Sequence, residues 1–187
     1  SDQEQFGLTI VDKVMETDHI YSSSNIRDAL EKGEVRKVAE RLGHWWHVEG
    51  HVRKGDQRGR TINFPTANLL LDGYIEPKYG VYAVRIIIEG GDGKGTWDAI
   101  ANIGRRPTFD KQDILLEVHI FDFDHDIYDQ SVKVEFVDFI RPEMKFDNLE
   151  SLRQQIEKDC KVARDKHSKA ENQQSYIPTP KIADYLT

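Results

Sequence analysis

The sequence predicts a mainly β protein, an antiparallel barrel or sandwich with a C-terminal helix and a short helical appendage at the N-terminus. Three observations carry that prediction. From His47 onward apolar residues recur with period 2, as in Val48-x-Gly50-x-Val52, Val81 to Ile88, Trp97 to Ile103, Leu115 to Phe121 and Val132-x-Val134-x-Phe136. Turn chemistry separates these runs at Gly55-Asp56, Asp72-Gly73, Gly90 to Gly93, Arg106-Pro107 and His125-Asp126. No helical segment of about ten residues alternates with the strands, which disfavours a parallel doubly wound sheet. Five or six short strands at this spacing suit a closed or two-layered antiparallel architecture.

The elements before and after the strands read as helices. Ser22-Ser23-Ser24 supplies hydroxyl caps for a helix over Asn25 to Lys32 that stops at Gly33. A second helix runs from about Glu34 to Leu42, with Val35, Val38, Ala39 and Leu42 on one face and Gly43 as its stop. Both are too short to form a core alone. The last helix spans about Asn148 to Lys166, with Leu149, Leu152, Ile156, Cys160 and Ala163 on one stripe and Asp147 with Glu150 as a capping-box-like start. It is expected to pack against the strands. Beyond Ser168 the chain is polar and carries Pro178 and Pro180, the texture of a tail that is loosely ordered unless docked.

Composition narrows the class. The 187 residues are 38% hydrophobic and include eight Phe, seven Tyr and three Trp, enough to fill a sizeable core. A net charge of −7 argues against a duplex-binding surface, which must neutralise many phosphates. No run of about 18 apolar residues exists, and the N-terminus lacks the basic flank and apolar stretch of a signal peptide, so the chain reads as soluble and cytoplasmic. A single cysteine, Cys160, provides neither an internal disulfide nor a thiolate zinc site.

The densest chemical signal is Gly55-Asp56-Gln57-Arg58-Gly59-Arg60-Thr61-Ile62-Asn63-Phe64-Pro65-Thr66-Ala67-Asn68. Its glycines permit close backbone approach, Lys54, Arg58 and Arg60 bring positive charge, and a Thr and an Asn follow a proline. Each feature suits a polyphosphate, and a Thr hydroxyl is a hard-oxygen ligand for Mg²⁺. On composition alone an ordinary hairpin with a basic turn fits equally well. The loop is not of the Walker type, since GxxxxGK[ST] is absent.

This run resembles the ATP-binding loop and PTAN motif of the riboflavin kinase family. The resemblance continues through Tyr79-Gly80-Val81-Tyr82-Ala83, Ala101-Asn102-Ile103-Gly104-Arg105-Arg106-Pro107-Thr108-Phe109, Leu116-Glu117-Val118-His119-Ile120-Phe121 and Arg141-Pro142-Glu143-Met144-Lys145-Phe146, in the family's order. It covers roughly residues 47 to 166. It implies a six-stranded antiparallel Greek-key-like barrel that transfers a phosphoryl group from ATP to the ribityl 5′-hydroxyl of riboflavin, giving FMN and ADP. Tyr21-Ser22-Ser23-Ser24-Asn25-Ile26-Arg27 is similar to the terminal motif of the FMN adenylyltransferase module that precedes the kinase module in bacterial FAD synthetases, while that module's HxGH motif is absent. The expected organisation is therefore an adenylyltransferase remnant and linker over 1–46, a kinase barrel with its helix over 47–167, and a polar tail over 168–187.

Residue roles follow from the resemblance. Glu117 lies with Leu115, His119 and Phe121 on one strand face, where a carboxylate would be partly desolvated; the pattern alone fits an exposed strand edge somewhat better, and the family implies Glu117 as the catalytic base. Thr66 and Asn68, at i and i+2, point to one side in extended backbone, and the family implies both as Mg²⁺ ligands beside ATP. Gly55, Gly59 and Arg60 match the nucleotide loop, and Ile120, Asp122 and Tyr128 border the nucleotide. Arg141 and Phe146 match positions that hold the flavin, the first by charge or hydrogen bonding and the second by apolar contact, and a pure core role fits Phe146 equally well. The chain departs from the family pattern at Asn63, His125 and Asp129, which stand where glycines are usual. Asn tolerates positive φ best among the other residues, so the loop is expected to keep its turn with less room for phosphate. The alternative reading is a flavin- or nucleotide-binding barrel with impaired turnover. His44, His47 and His51 span a helix end, a linker and a strand, a poor spacing for one metal.

Overall fold

The structure is a computed structural model that describes residues 15, 16, 19, 20, 22–55, 59, 62–107 and 112–173. After a two-residue pair, β1 (Met15–Glu16) with β2 (His19–Ile20), come α1 (Ser23–Lys32) and α2 (Val35–Leu42). Six antiparallel strands follow: β3 (His47–His51), β4 (Ala67–Leu70), β5 (Gly80–Ile88), β6 (Gly95–Pro107), β7 (Gln112–Ile120) and β8 (Ser131–Pro142). The last helix is α3 (Leu149–His167). The strand order β3-β8-β5-β6-β7-β4 joins a β5-β6-β7 meander to crossing connections on both sides, as in a Greek key. The edges nearly meet, because the Arg53 amide donates to the Asn68 carbonyl at 2.8 Å and so links the end of β3 to β4.

The predicted helices stand where their caps placed them. Ser22 accepts from the Asn25 amide, and Gly33 and Gly43 close α1 and α2 in the left-handed conformation with φ of 78° and 74°. The α3 start differs from the expected Asp147 and Glu150 box. Asn148 is its cap, with Oδ1 accepting from the Ser151 amide at 2.9 Å, because an Asx side chain reaches the third amide as well as a hydroxyl does.

Two apolar layers explain why several strands are buried on both faces. The barrel interior collects Val48, Leu69, Val84, Ile86, Ile103 and Leu116, and Leu30, Val35 and Val38 bring α1 and α2 into the same cluster. Outside the barrel Val81, Ala83, Ile100, Phe121 and Val137 pack under Ala163 of α3 and Ala39 and Trp45 of the α2 region. A fully buried side chain of this size contributes about 1.5–3 kcal/mol, so the two short helices are held by barrel contacts.

β8 runs six residues past the Val132 to Phe136 pattern. Register shifts against β5 let two residues oppose one, between Val81 and Tyr82 and between Ala83 and Val84. Each extra residue resets the alternation and hides the strand from a period-2 reading. Phe136 and Phe139 thereby both reach Tyr82 edge-on, at 5.2 and 5.1 Å. β4 was legible as a motif and not as a strand, being only four residues long. The start of the polar tail is docked: Asn172 is buried, takes a hydrogen bond from Arg36, and offers its carbonyl to Arg85 at 2.6 Å. Residues 174–187 lie outside the described residues.

Candidate functional site

One register line across the sheet organises the site. Asn68 on β4 stands opposite Glu117 on β7, Glu117 opposite Asn102 on β6, Asn102 opposite Val81 on β5, and Val81 opposite Arg141 on β8. Directly opposed residues of antiparallel strands share a face with Cβ atoms about 4.5–5.5 Å apart. The row therefore runs along the outer face for about 19 Å at ordinary strand spacing. Glu117 is half-buried beside two amides, with Asn68 at one end of the row and Arg141 at the other.

Asn68 is 5% exposed, and its Nδ2 donates to the Thr66 carbonyl at 3.2 Å. Its Oδ1 is buried with no hydrogen-bond partner among the described residues. An orphan acceptor in that position costs free energy unless a donor or a cation meets it. Gly55 lies against this amide, and a Cβ there would come within 2.5 Å of Nδ2. At Gly59 a Cβ would collide with the Phe64 carbonyl, while the Gly59 carbonyl accepts from the Phe64 amide at 2.8 Å. The two loop glycines are thus needed for close approach. Arg60 lies outside the described residues, as do Asp56, Gln57, Arg58 and Thr61.

Asn63 adopts φ 64° and Asp129 φ 62°, so both non-glycine residues take up the left-handed turns. His125 is not among the described positive-φ residues. Beside the loop is a cleft of about 530 Å³ lined by Thr66, Ile120 and Tyr128, together with Val52, Asn63 and Pro65. Three of the expected nucleotide residues therefore share one cavity. Asp122 does not join them. Its carboxylate takes both Arg164 nitrogens of α3, at 2.8 and 3.0 Å, and that guanidinium holds its pKa below the ordinary value.

At the far end of the row Arg141 is clamped to α3. Its Nε and Nη2 donate to the Asp159 carboxylate at 2.9 and 2.7 Å, and the guanidinium lies 5.8 Å from the Phe146 ring. Arg141 and Phe146 stand next to each other, with the Arg141 charge directed to Asp159. Asp126, in the loop after β7, accepts from the Tyr128 amide. His44 and His47 both turn Nδ1 toward the Trp45 carbonyl, and no group of three or more His, Cys, Asp or Glu residues that could hold a metal occurs among the described residues. Burial pushes the Cys160 thiol up to about 11, which removes it as a nucleophile at neutral pH.

His119 was visible in the sequence only as a neighbour of Glu117, and the structure gives it a task. Its Nδ1 lies 2.9 Å from the Pro65 carbonyl, an acceptor, so Nδ1 carries the proton and ties the segment before Thr66 to β7. Burial lowers the His119 pKa, and burial likewise lowers that of His167, whose Nε2 bonds the Ala99 carbonyl at 3.0 Å. For both groups the folded pKa is below the ordinary 6.5, so their stabilisation is present above pH 6.5 and is lost as pH falls through the folded value. The thermal midpoint is expected to drop between pH 7.5 and 5.5, and a double variant with Gln at 119 and 167 is expected to flatten that slope. An unchanged slope in the variant would show that other groups set it.

Comparisons with known proteins give the family. The family model for riboflavin kinase matches residues 42–167. The bifunctional riboflavin kinase/FMN adenylyltransferase of Listeria monocytogenes is 41% identical over 170 residues, 90% of this chain and 53% of that protein. A crystal structure of a Streptococcus pneumoniae protein described as a macrolide-efflux protein aligns with a TM-score of 0.74 at 39% identity, over 82% of this chain and 50% of that one. Riboflavin kinase from Trypanosoma brucei aligns with a TM-score of 0.50 at 26% identity, over 68% of this chain and 79% of that one. The barrel, its covering helix and its glycine-bearing loop place the chain in a defined class of small β-barrel proteins, and the chain belongs to the riboflavin kinase family. It spans about half the length of the curated relatives it matches.

Proposed function

We propose that this chain transfers the γ-phosphoryl group of ATP to the ribityl 5′-hydroxyl of riboflavin, releasing FMN and ADP. The observation that carries the reading is the row in which Glu117 stands next to the buried Asn68 oxygen, which has no hydrogen-bond partner among the described residues, and on the same face as Arg141. Glu117 accepts the hydroxyl proton as that oxygen attacks phosphorus, so the alcohol becomes a better nucleophile only when it is in place. ATP lies in the cleft beside Thr66, Ile120 and Tyr128 with its phosphates toward Gly55 and Gly59. Riboflavin enters from the Arg141 and Phe146 end. Most of the acceleration comes from holding the two substrates in line, since phosphoryl transfer asks little covalent chemistry of the protein.

The family implies a divalent metal with the nucleotide, and the residues fit Mg²⁺. Thr66 and Asn68 offer a hydroxyl and an amide oxygen, both hard donors, and the Asn68 oxygen has no other partner among the described residues. When bound, the ion neutralises negative charge on the phosphate oxygens. Asn68→Ala is expected to raise KM for ATP with Mg²⁺ and lower kcat, together costing kcat/KM at least about tenfold, with KM for riboflavin little changed. Steady-state FMN formation at varied MgATP measures this, and an equal loss in riboflavin binding would point to misfolding instead.

Asn63 and Asp129 take up the left-handed turns, which supports a loop that keeps its shape without glycine at those positions. Residues 1–46 form the end of an adenylyltransferase domain and its linker in the parent protein, 47–167 the kinase unit and 168–187 the tail. No helix among the described residues is long and apolar enough to cross a membrane, and the reaction is assigned to the cytoplasm, with riboflavin, FMN, ATP and ADP as its partners.

A further inference from the structure

Glu143 sits where the backbone has been cleared for it. The end of β8 passes over Gly80, where φ is +147° and a Cβ would collide with the Arg141 carbonyl and lie 2.9 Å from the Pro142 Cα. Beyond this crossing the chain lays the Glu143 carboxylate directly on the bare backbone of Gly104 on β6, in the space a Cβ would fill. Asn102 Nδ2 is 3.5 Å from the same point. Two glycines on neighbouring strands thus serve one carboxylate.

The position of that carboxylate follows from the register. Gly104 is two residues from Asn102 and shares its face, and Asn102 is opposite Glu117. Gly104 and Glu117 are therefore diagonal neighbours, about 7–8 Å apart on the ladder. Glu143 is exposed, and among the described residues it has neither an ion pair nor a hydrogen bond. An ionised carboxylate only accepts hydrogen bonds. One diagonal step from the transfer base it meets either of two ligands. The substrate of the proposed reaction presents several uncharged hydroxyl donors there, and the product presents a phosphate. The carboxylate attracts the first and repels the second.

We infer that Glu143 is a specificity-determining residue that recognises the hydroxyls of the uncharged polyol acceptor and disfavours its phosphorylated product. This rests on the riboflavin kinase reading of the site. It also assigns a purpose to Gly104: any larger residue there displaces the carboxylate.

The test is a binding comparison on the full chain, titrating riboflavin and FMN by flavin fluorescence quenching in the presence of ADP and Mg²⁺. Glu143→Gln, which keeps the shape and removes the charge, is expected to weaken riboflavin and tighten FMN, changing the ratio of their affinities by about tenfold. Glu143→Asp keeps the charge and is expected to restore part of that ratio, and Gly104→Ala is expected to resemble the Gln variant. An unchanged affinity ratio in Glu143→Gln overturns the inference. The same samples are then given ATP and scored for FMN. A shifted ratio with no FMN from the wild-type chain would support Glu143 while refuting turnover. FMN formation with an unchanged ratio would refute Glu143 alone, and failure to bind either flavin would refute both.

Discussion

Glu117→Gln is expected to lower kcat at least about 10²-fold, the usual contribution of a positioned general base, while the thermal midpoint stays at the wild-type value. The substitution keeps the volume and polarity of a half-buried side chain on the outer face of β7, so the inner packing of Leu116 and Val118 is untouched. Only the ability to accept a proton is lost. KM for ATP should change little, because the nucleotide cleft is lined by Thr66, Ile120 and Tyr128. A Gln variant with wild-type kcat would remove Glu117 from the chemistry.

The largest stability effect is expected at Asp159. The residue is 3% exposed, and its carboxylate receives hydrogen bonds from Arg141 Nε at 2.9 Å and Nη2 at 2.7 Å and from Gln155 Nε2 at 2.8 Å. Asp159→Ala leaves the Arg141 guanidinium, whose side chain is only 16% exposed, without its counter-ion. Breaking a buried pair on one side costs about 3–5 kcal/mol, and the lower end applies because Nη1 of Arg141 keeps the Pro142 carbonyl at 2.8 Å. Denaturant unfolding measures that loss. Since the same pair holds Arg141 beside Phe146, KM for riboflavin should also rise while KM for ATP does not. A loss below about 1 kcal/mol would mean that α3 is held by its apolar contacts alone.

The apolar runs bounded by turn residues were legible in the sequence as strands, and so were helices with unambiguous glycine stops. What escaped has identifiable causes. The Asn148 cap was overlooked in favour of a neighbouring Asp because both are good capping residues and only the backbone geometry decides between them. The last six residues of β8 were hidden by bulges that reset the alternation. The motifs located Glu117, Thr66, Asn68 and Arg141 individually. That Asn68, Glu117, Asn102 and Arg141 share one row depends on strand register, a long-range property that no local pattern carries. Asp122 illustrates the reverse. Its place next to the β7 motif suggested the nucleotide, and a left-handed φ of 54° turns it to Arg164. Glu143 and Gly104 carry no local signal of a role, because their contact joins β6 to the end of β8 across the intervening β5.

The central claim is that this chain phosphorylates riboflavin, and chromatographic separation of flavins after incubation of the purified chain with riboflavin, ATP and Mg²⁺ tests it most directly. The account predicts that FMN and ADP accumulate in equal amounts, that a chelator stops the reaction, and that Glu117→Gln shows almost none of it. Binding of riboflavin and ADP without any FMN from the wild-type chain would contradict it.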